Sequence, residues 1–385
     1  MYIITMSQRN PPQEQIDYAI NLFKSDQIQQ ALDFIDTLSK DYPDDSLLFN
    51  IRGACYAGLG QLDIAVQSYK KALSIKPDYA KAHYNLGGAF QELDKLHDSA
   101  KSYENAITLE PENAQAHNNL AIVLRELGQL EEAEASCRKA IVLDPEYAEA
   151  HSCLSIILYA NGDLNSALES IKKAYSINPK LKIIKLLLAV LKARKTHKTS
   201  KVSISNIRSI SNPLILNRAV EQELIAKLYE MKSLEHYPQT DTIYGNARGS
   251  GYQLFQDDHS SIIKTVRDDL VRILTKAIKT DIYIKDSFFH IMGAGGAGVN
   301  RHNHIGALDL DSSLNLIKQK FSLVYYLSIG DQDCSEPGTL KLYDPSENIL
   351  PREGKIVIFP ADRYHSVVYN GKKDRIMISI NFYSL

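Results

Sequence analysis

Residues 80–111 read AKAHYNLGGAFQELDKLHDSAKSYENAITLEP, and residues 114–145 read AQAHNNLAIVLRELGQLEEAEASCRKAIVLDP. Laid over one another at an offset of 34 residues, the two stretches share Ala80/Ala114, Ala82/Ala116, Ala106/Ala140 and Pro111/Pro145 and keep a small residue at Gly87/Ala121 and Ser99/Ala133. The register extends outward in both directions. Pro43, Pro77, Pro111, Pro145 and Pro179 recur at that spacing. Ala31, Ala65, Ser99, Ala133 and Ala167 form one column, and Ala72, Ala106, Ala140 and Ala174 a second. Ala19, Gly53, Gly87, Ala121 and Ser155 form a third. Turn signals such as Gly58-Leu59-Gly60 and Glu126-Leu127-Gly128 divide each period into two helix-length segments. Small side chains let two helices approach closely, and each proline ends the second helix because it cannot donate an interior backbone hydrogen bond. A period of this length marks a stacked array of helical hairpins.

The pattern resembles the tetratricopeptide repeat over about residues 12–179, as five repeats. Lys180–Lys195 is expected as a capping helix, since the last repeat would otherwise expose an apolar face. The resemblance implies a groove that binds a protein or peptide. Asn85 and Asn119 stand at equivalent places on the first helices of consecutive repeats. In some families of this repeat such asparagines hold a peptide backbone, which makes these two the candidate partner-binding residues; the plainer reading is solvated helix surface. His83, His117 and His151 share the period too. Packed helices set them roughly 10 Å apart, too far to share an ion, so they read as packing residues.

The 385-residue chain is long enough for two or three domains at about 150 residues each. A net charge of −2 gives no electrostatic reason to expect nucleic acid or an anionic membrane as partner. No apolar run reaches the roughly 18 residues of a membrane span. The opening MYIITMSQRN has no basic stretch leading into an apolar core, so no secretory signal is expected and a cytoplasmic location is. Cys55, Cys137, Cys153 and Cys334 are scattered without C-x-x-C spacing, which fits a reducing compartment and removes zinc fingers and redox dithiols.

After Lys195 the text changes. Residues 1–195 read as the array with its cap, 196–212 as a Ser/Thr/Lys-rich linker or entry strand, and 213–385 as a second domain. Helices are expected over about Asn217–Met231 and Ser260–Lys279. From Ile282 the period becomes that of strands, in IYIKDSFFHIM, GVNRHNH, FSLVYYLSI, GTLKLYD, GKIVIF, HSVVYN and RIMISINF. Seven short strands separated by Gly, Pro and Asp suggest an antiparallel sandwich or jelly roll behind supporting helices. The fold class is therefore multi-domain: an all-α solenoid followed by an α+β domain, a sandwich or a jelly roll (double-stranded β-helix).

The polar residues of these strands carry the chemistry. His302 and His304 are two apart, and on a strand both point to one face. His365 follows 61 residues after His304, directly behind GKIVIFP and a short turn, and Arg375 comes ten residues later. Imidazoles from separate strands converge only if the sheet folds over. The spacing alone does not name the metal.

H-x-H, the Gly354–Phe359 strand, His365 and Arg375, in that order, resemble the iron(II)/2-oxoglutarate-dependent oxygenase superfamily, prolyl-hydroxylase-like, in its bacterial and phage branch. Gly296, ahead of His302, matches a glycine of that pattern. The resemblance covers about residues 213–385. It implies Fe(II) on His302, His304 and His365, 2-oxoglutarate as cofactor and dioxygen as co-substrate. It further implies Arg375 gripping the far carboxylate of 2-oxoglutarate, a geometry guanidinium matches well. Ser379, on the same face as Arg375, is a further contact, as is Tyr325 or Tyr326; strand parity turns only one of the two inward.

Where the superfamily pattern has H-x-D, this chain has His302-Asn303-His304. Three arrangements are open: all three histidines bind the ion, only two protein ligands remain, with Gly306 at the place of the acid, or Asp309 or Asp344 reaches in from a loop. The first is favoured. Ala307–Lys320 reads as an insertion that forms part of a lid. The expected activity is hydroxylation of a protein or peptide gathered by the array. A scaffold with a degenerate jelly roll and a small-metabolite hydroxylase are the rivals.

Overall fold

Among the residues that the computed structural model describes (10–199, 212–231, 235–236, 247–250, 253–258, 260–293, 297–311 and 314–385), the 34-residue period becomes five helical hairpins. They are α1 Gln13–Lys24 with α2 Ile28–Asp41, α3 Ser46–Gly58 with α4 Leu62–Ile75, and α5 Ala80–Glu92 with α6 Leu96–Leu109. Then come α7 Ala114–Glu126 with α8 Leu130–Leu143, and α9 Ala148–Ala160 with α10 Leu164–Ile177. Each of the five prolines lies two residues past the end of a second helix. Each hairpin turns through a residue of positive φ, again at the common period: Asp26, Gly60, Asp94, Gly128 and Gly162. Glycine takes that conformation without steric cost, and aspartate tolerates it.

The small-residue columns are fully buried. Gly53 faces the ring of Tyr69, where an added Cβ would stand 2.5 Å from Cε1. Gly87 faces Tyr103 in the same way. At the equivalent places of the later repeats stand Ala121 with Cys137 and Ser155 with Ile171, so a larger residue on the first helix goes with a slimmer one on the second. His83, His117 and His151 each bring Nε2 to the carbonyl of Pro77, Pro111 or Pro145 at 3.0–3.1 Å, which ties each first helix to the turn before it.

A further helix, α11, runs Lys182–Thr199. It passes through residues 196–199, which the sequence assigns to the linker. No Gly or Pro interrupts the text between Pro179 and Pro213, so nothing local stops the helix at Lys195. Residues 200–211 of the expected linker lie outside the described residues. The chain divides into two compact units between Ile184 and Lys185. Among the described residues no helix is long and apolar enough to cross a membrane.

The second unit is built on two antiparallel sheets. Its elements are β1 Leu214–Asn217, α12 Gln222–Glu230, β2 Glu235–His236, β3 Ala247–Gly249, α13 Leu254–Asp257, α14 Ser261–Ile278 and β4 Ile282–Met292. They continue with β5 Ala297–His302, β6 Lys320–Ile329, β7 Pro337–Leu342, β8 Glu347–Ile349, β9 Lys355–Pro360, β10 His365–Tyr369 and β11 Arg375–Ser384. One sheet has the order β1-β9-β6-β11-β4-β3-β2 and the other β5-β10-β7-β8. Strands β1, β2, β3 and β8 are additions to the sequence reading. Asn217, expected to open a helix, instead ends β1 opposite Lys355, and the helix starts at Gln222.

Strand β11 lies between β4 and β6, and side-chain alternation gives it two apolar faces. Ile376, Ile378, Ile380 and Phe382 join Leu323, Tyr325 and Ile358 against Leu224 and Leu228 of α12 and Val266, Leu270 and Leu274 of α14. Met377 turns the other way, with Met292, Val324, Tyr326 and Phe359, to meet Leu340, Leu342 and Val367 of the four-stranded sheet. Coverage on both faces explains why RIMISINF reads as nearly continuous apolar sequence.

A Gly53→Val substitution should destabilise the first unit by about 1–3 kcal/mol through overpacking against Tyr69. Adding Tyr69→Cys, which copies the Ala121–Cys137 pairing, should recover part of the loss. A double-mutant cycle in urea reads the coupling; additive losses would mean that the two positions do not pack as described.

Candidate metal centre

His302 closes β5 and His365 opens β10, and the two residues are direct cross-strand partners. Their ring centroids are 4.2 Å apart, and the ring of His304 lies 4.9 Å from each. One ligand nitrogen from each of the three falls within 4.8 Å of the others, a spread that small ring rotations close onto bonds of about 2.1 Å. His304 stands beyond the strand end, in an irregular segment, rather than on a continued strand as H-x-H suggests. His365 Nδ1 lies 3.3 Å from the carbonyl of Arg363, so it carries the proton and leaves Nε2 with the lone pair a metal needs. Phe359 packs edge-on against the same ring. Burial first, then the neighbouring imidazoles, push His304 down to about 2 and His365 down to about 3. Both rings are neutral donors at physiological pH.

The three histidines open into a cavity of about 280 Å³ between the sheets, of small-ligand size. Arg375, Ser379 and Tyr326 line it, together with Phe288, His290 and Met377. Tyr325 does not: it faces the helices and donates to the Ala219 carbonyl at 2.8 Å, so it is removed from the set of candidate cofactor contacts. The reason is the β6–β11 register, which sets Tyr326 opposite Met377 and Tyr325 opposite Ile378. His290 is a cavity wall. Burial, then Arg375 and His302, push it down to about 4. Its place on β4 opposite Met377 follows from long-range pairing that no local pattern announces.

Arg375 is fully buried. Its guanidinium lies over the ring of Tyr326, 5.1 Å from the centroid, and occupies space that any side chain at Gly338 would fill: a Cβ there would stand 2.2 Å from Nη1. Nη1 has the thioether of Met292 at 3.7 Å, while Nε and Nη2, like the Tyr326 hydroxyl, have no hydrogen-bond partner among the described residues. Burial pulls the Arg375 pKa below its ordinary value, with Tyr326 acting the other way. A buried guanidinium with open donors is costly to the fold and is matched by an anion of fork geometry.

Neither candidate carboxylate reaches the three histidines. Asp309 Oδ2 takes Lys320 Nζ at 2.6 Å and the Gly306 amide at 2.8 Å, and its Oδ1 takes the Tyr383 hydroxyl at 2.6 Å. Burial opposes its charge, but these donors outweigh it and hold its pKa below the usual carboxylate range. Asp344 is exposed and pairs with Arg301 at 3.0 Å. In the first unit Asn85 donates to Asn50 Oδ1 at 2.9 Å and Asn119 to the Tyr84 hydroxyl at 3.0 Å. Both amides thus tie neighbouring repeats together. Gly296 lies outside the described residues.

The first unit is built of tetratricopeptide repeats. A family model described as TPR repeat matches residues 53–94, and one described as Tetratricopeptide repeat matches residues 84–148. Among curated proteins, the peroxisomal targeting signal receptor of Candida glabrata is 31% identical over 75 residues, 20% of this chain and 13% of the receptor. That of Saccharomyces cerevisiae is 29% identical over 87 residues, 21% of this chain and 14% of the receptor. The chain thus matches about one-seventh of the length of these relatives. Among solved structures, MamA has a TM-score of 0.40 at 22% identity, covering 42% of this chain and 95% of that one. YrrB, described as a TPR protein with an unusual peptide-binding site, has a TM-score of 0.40 at 21% identity, covering 45% and 89%.

If Arg375 is uncompensated within the fold, Arg375→Met should stabilise the metal-free protein by about 1–4 kcal/mol in chemical denaturation. A variant less stable than the parent would show that the fold itself satisfies the guanidinium.

Proposed function

We propose that the second unit is a double-stranded β-helix oxygenase domain that binds iron(II) and 2-oxoglutarate and hydroxylates a protein or peptide recruited by the repeats. One observation carries the reading: three imidazoles converge at a cavity that also receives a buried guanidinium with two open donors. The donor set fits a divalent ion of intermediate softness and leaves coordination positions open. With three neutral ligands the ion keeps both its charges, and Arg375 adds a third. A dianionic ligand that touches both ends offsets most of that charge. A five-carbon dicarboxylate has this character, which supports 2-oxoglutarate over a monoanion.

Iron(II) with 2-oxoglutarate and dioxygen supplies C–H hydroxylation coupled to oxidative decarboxylation to succinate and carbon dioxide. The chain's own residues bind, orient and shield. Arg375 would hold the far carboxylate, and its Nε and Nη2 are donors the fold leaves open for an anion. The Tyr326 hydroxyl and Ser379 stand on the same cavity wall to complete its hydrogen bonds. Val324, Leu340, Val367 and Met377 exclude water around it. For the array, the match to receptors named for a targeting signal supports a peptide or protein as the recruited substrate.

Purified protein loaded with iron(II) should form succinate from 2-oxoglutarate in a substrate-dependent manner, and His365→Ala should abolish iron binding. Arg375→Met should raise the Kd for 2-oxoglutarate roughly 10- to 100-fold, the worth of a charged hydrogen bond of about 1.5–3 kcal/mol. Metal binding without 2-oxoglutarate binding would favour the degenerate scaffold. Turnover of small metabolites that survives removal of residues 1–195 would favour the metabolite hydroxylase.

A further inference from the structure

His304 is the one member of the histidine triad that no strand holds. Strand β5 ends at His302, residues 303–306 are irregular, and a single 3-10 turn, Ala307–Leu310, follows. Two main-chain contacts fix the segment. The His304 amide donates to the Ala361 carbonyl at 2.9 Å, and the His304 carbonyl accepts from the ammonium of Lys320. Lys320 is itself tied to Ala361, whose amide donates to the Lys320 carbonyl at 3.0 Å, so the three residues form a closed ring of contacts. Around that ring the same ammonium pairs with Asp309, which anchors the Gly306 amide and accepts from Tyr383 at the far end of β11.

The Lys320 and Asp309 side chains are each 1% exposed. A fully buried ion pair contributes little or nothing to stability compared with apolar residues of the same volume, because desolvation consumes the Coulomb attraction. What such a pair does supply is direction: the ammonium has fixed partners, and a displaced loop would leave a buried charge unpaired. Its placement is specific. Of the three candidate ligands it touches only the one that lacks a strand, and it does so through the main chain, leaving the imidazole free to turn toward the other two.

Resting on the metal reading above, we infer that Lys320, held by Asp309 and Tyr383, is a positioning residue that sets His304 as the third ligand of the centre. The pair does for the loop what ladder hydrogen bonds do for His302 and His365. It also accounts for the fate of one candidate acid: Asp309 is committed to orienting the third ligand and supplies none itself.

The test uses cobalt(II) added to the full-length metal-free protein, read by its visible absorption and by titration. Lys320→Met with Asp309→Asn removes both charges together and avoids an orphaned ion. In that double variant the Kd for cobalt(II) should rise about 10- to 100-fold, the usual effect of an outer-sphere partner, and its spectrum should approach that of His304→Ala. Tyr383→Phe, which keeps the ion pair, should weaken binding only a few-fold and guards against a double variant that fails to fold. Parent-like cobalt(II) affinity and spectrum in the folded double variant, or in Tyr383→Phe should the double variant not fold, would overturn the positioning role and leave the metal reading standing. A parent protein that binds no cobalt(II) would overturn the metal reading, and the inference with it.

Discussion

The pairing of β5 with β10 places His302 directly across from His365, and the candidate site depends on that contact. Two residues 63 positions apart in the chain become cross-strand neighbours because β5 and β10 lie side by side in the four-stranded sheet, which shares an apolar layer with the seven-stranded one. Alternation along β11 sends every second side chain into that layer, and the chemistry occupies the places where the alternating residue is polar. Arg375 and Ser379 flank Met377 on the same face. The apolar layer and the site are therefore one surface, differing only in which residues are hydrocarbon.

Stability and chemistry pull against each other in this layer. A buried guanidinium with two open donors, neutral imidazoles pushed far from their ordinary titration range and a buried lysine–aspartate pair are each unfavourable for a fold. They share one face of the large sheet, while the opposite face is almost wholly aliphatic and aromatic. The helix-covered face holds the unit together, and the other face tolerates groups that only a ligand satisfies. Gly338 shows the same trade at one residue: its left-handed backbone and missing side chain give Arg375 the room it occupies.

The repeat array obeys a different constraint, the fit of one helix against the next at every period. Tyr69 and Tyr103 fill the space left by Gly53 and Gly87, and the histidine–proline contacts close each turn. Asn85 and Asn119 belong to the same economy, since each spends a hydrogen bond on the preceding repeat. A peptide held by these amides would have to share them with the packing of the array.

The array was legible from the sequence because everything that defines it is local and recurs. Prolines end helices and small residues line the close contacts wherever the chain meets the same 34-residue context. The order of His302, His304, His365 and Arg375 was legible for a related reason: side-chain chemistry survives in the text even when the distances do not. Strand parity likewise narrowed Tyr325 and Tyr326 to one inward residue, but only the β6–β11 register selected Tyr326. The cavity wall at His290, the space at Gly338 and the commitment of Asp309 to Lys320 are decided by tertiary structure alone. Each joins residues whose separation in the chain carries no periodicity, so nothing short of the folded pairing brings them together.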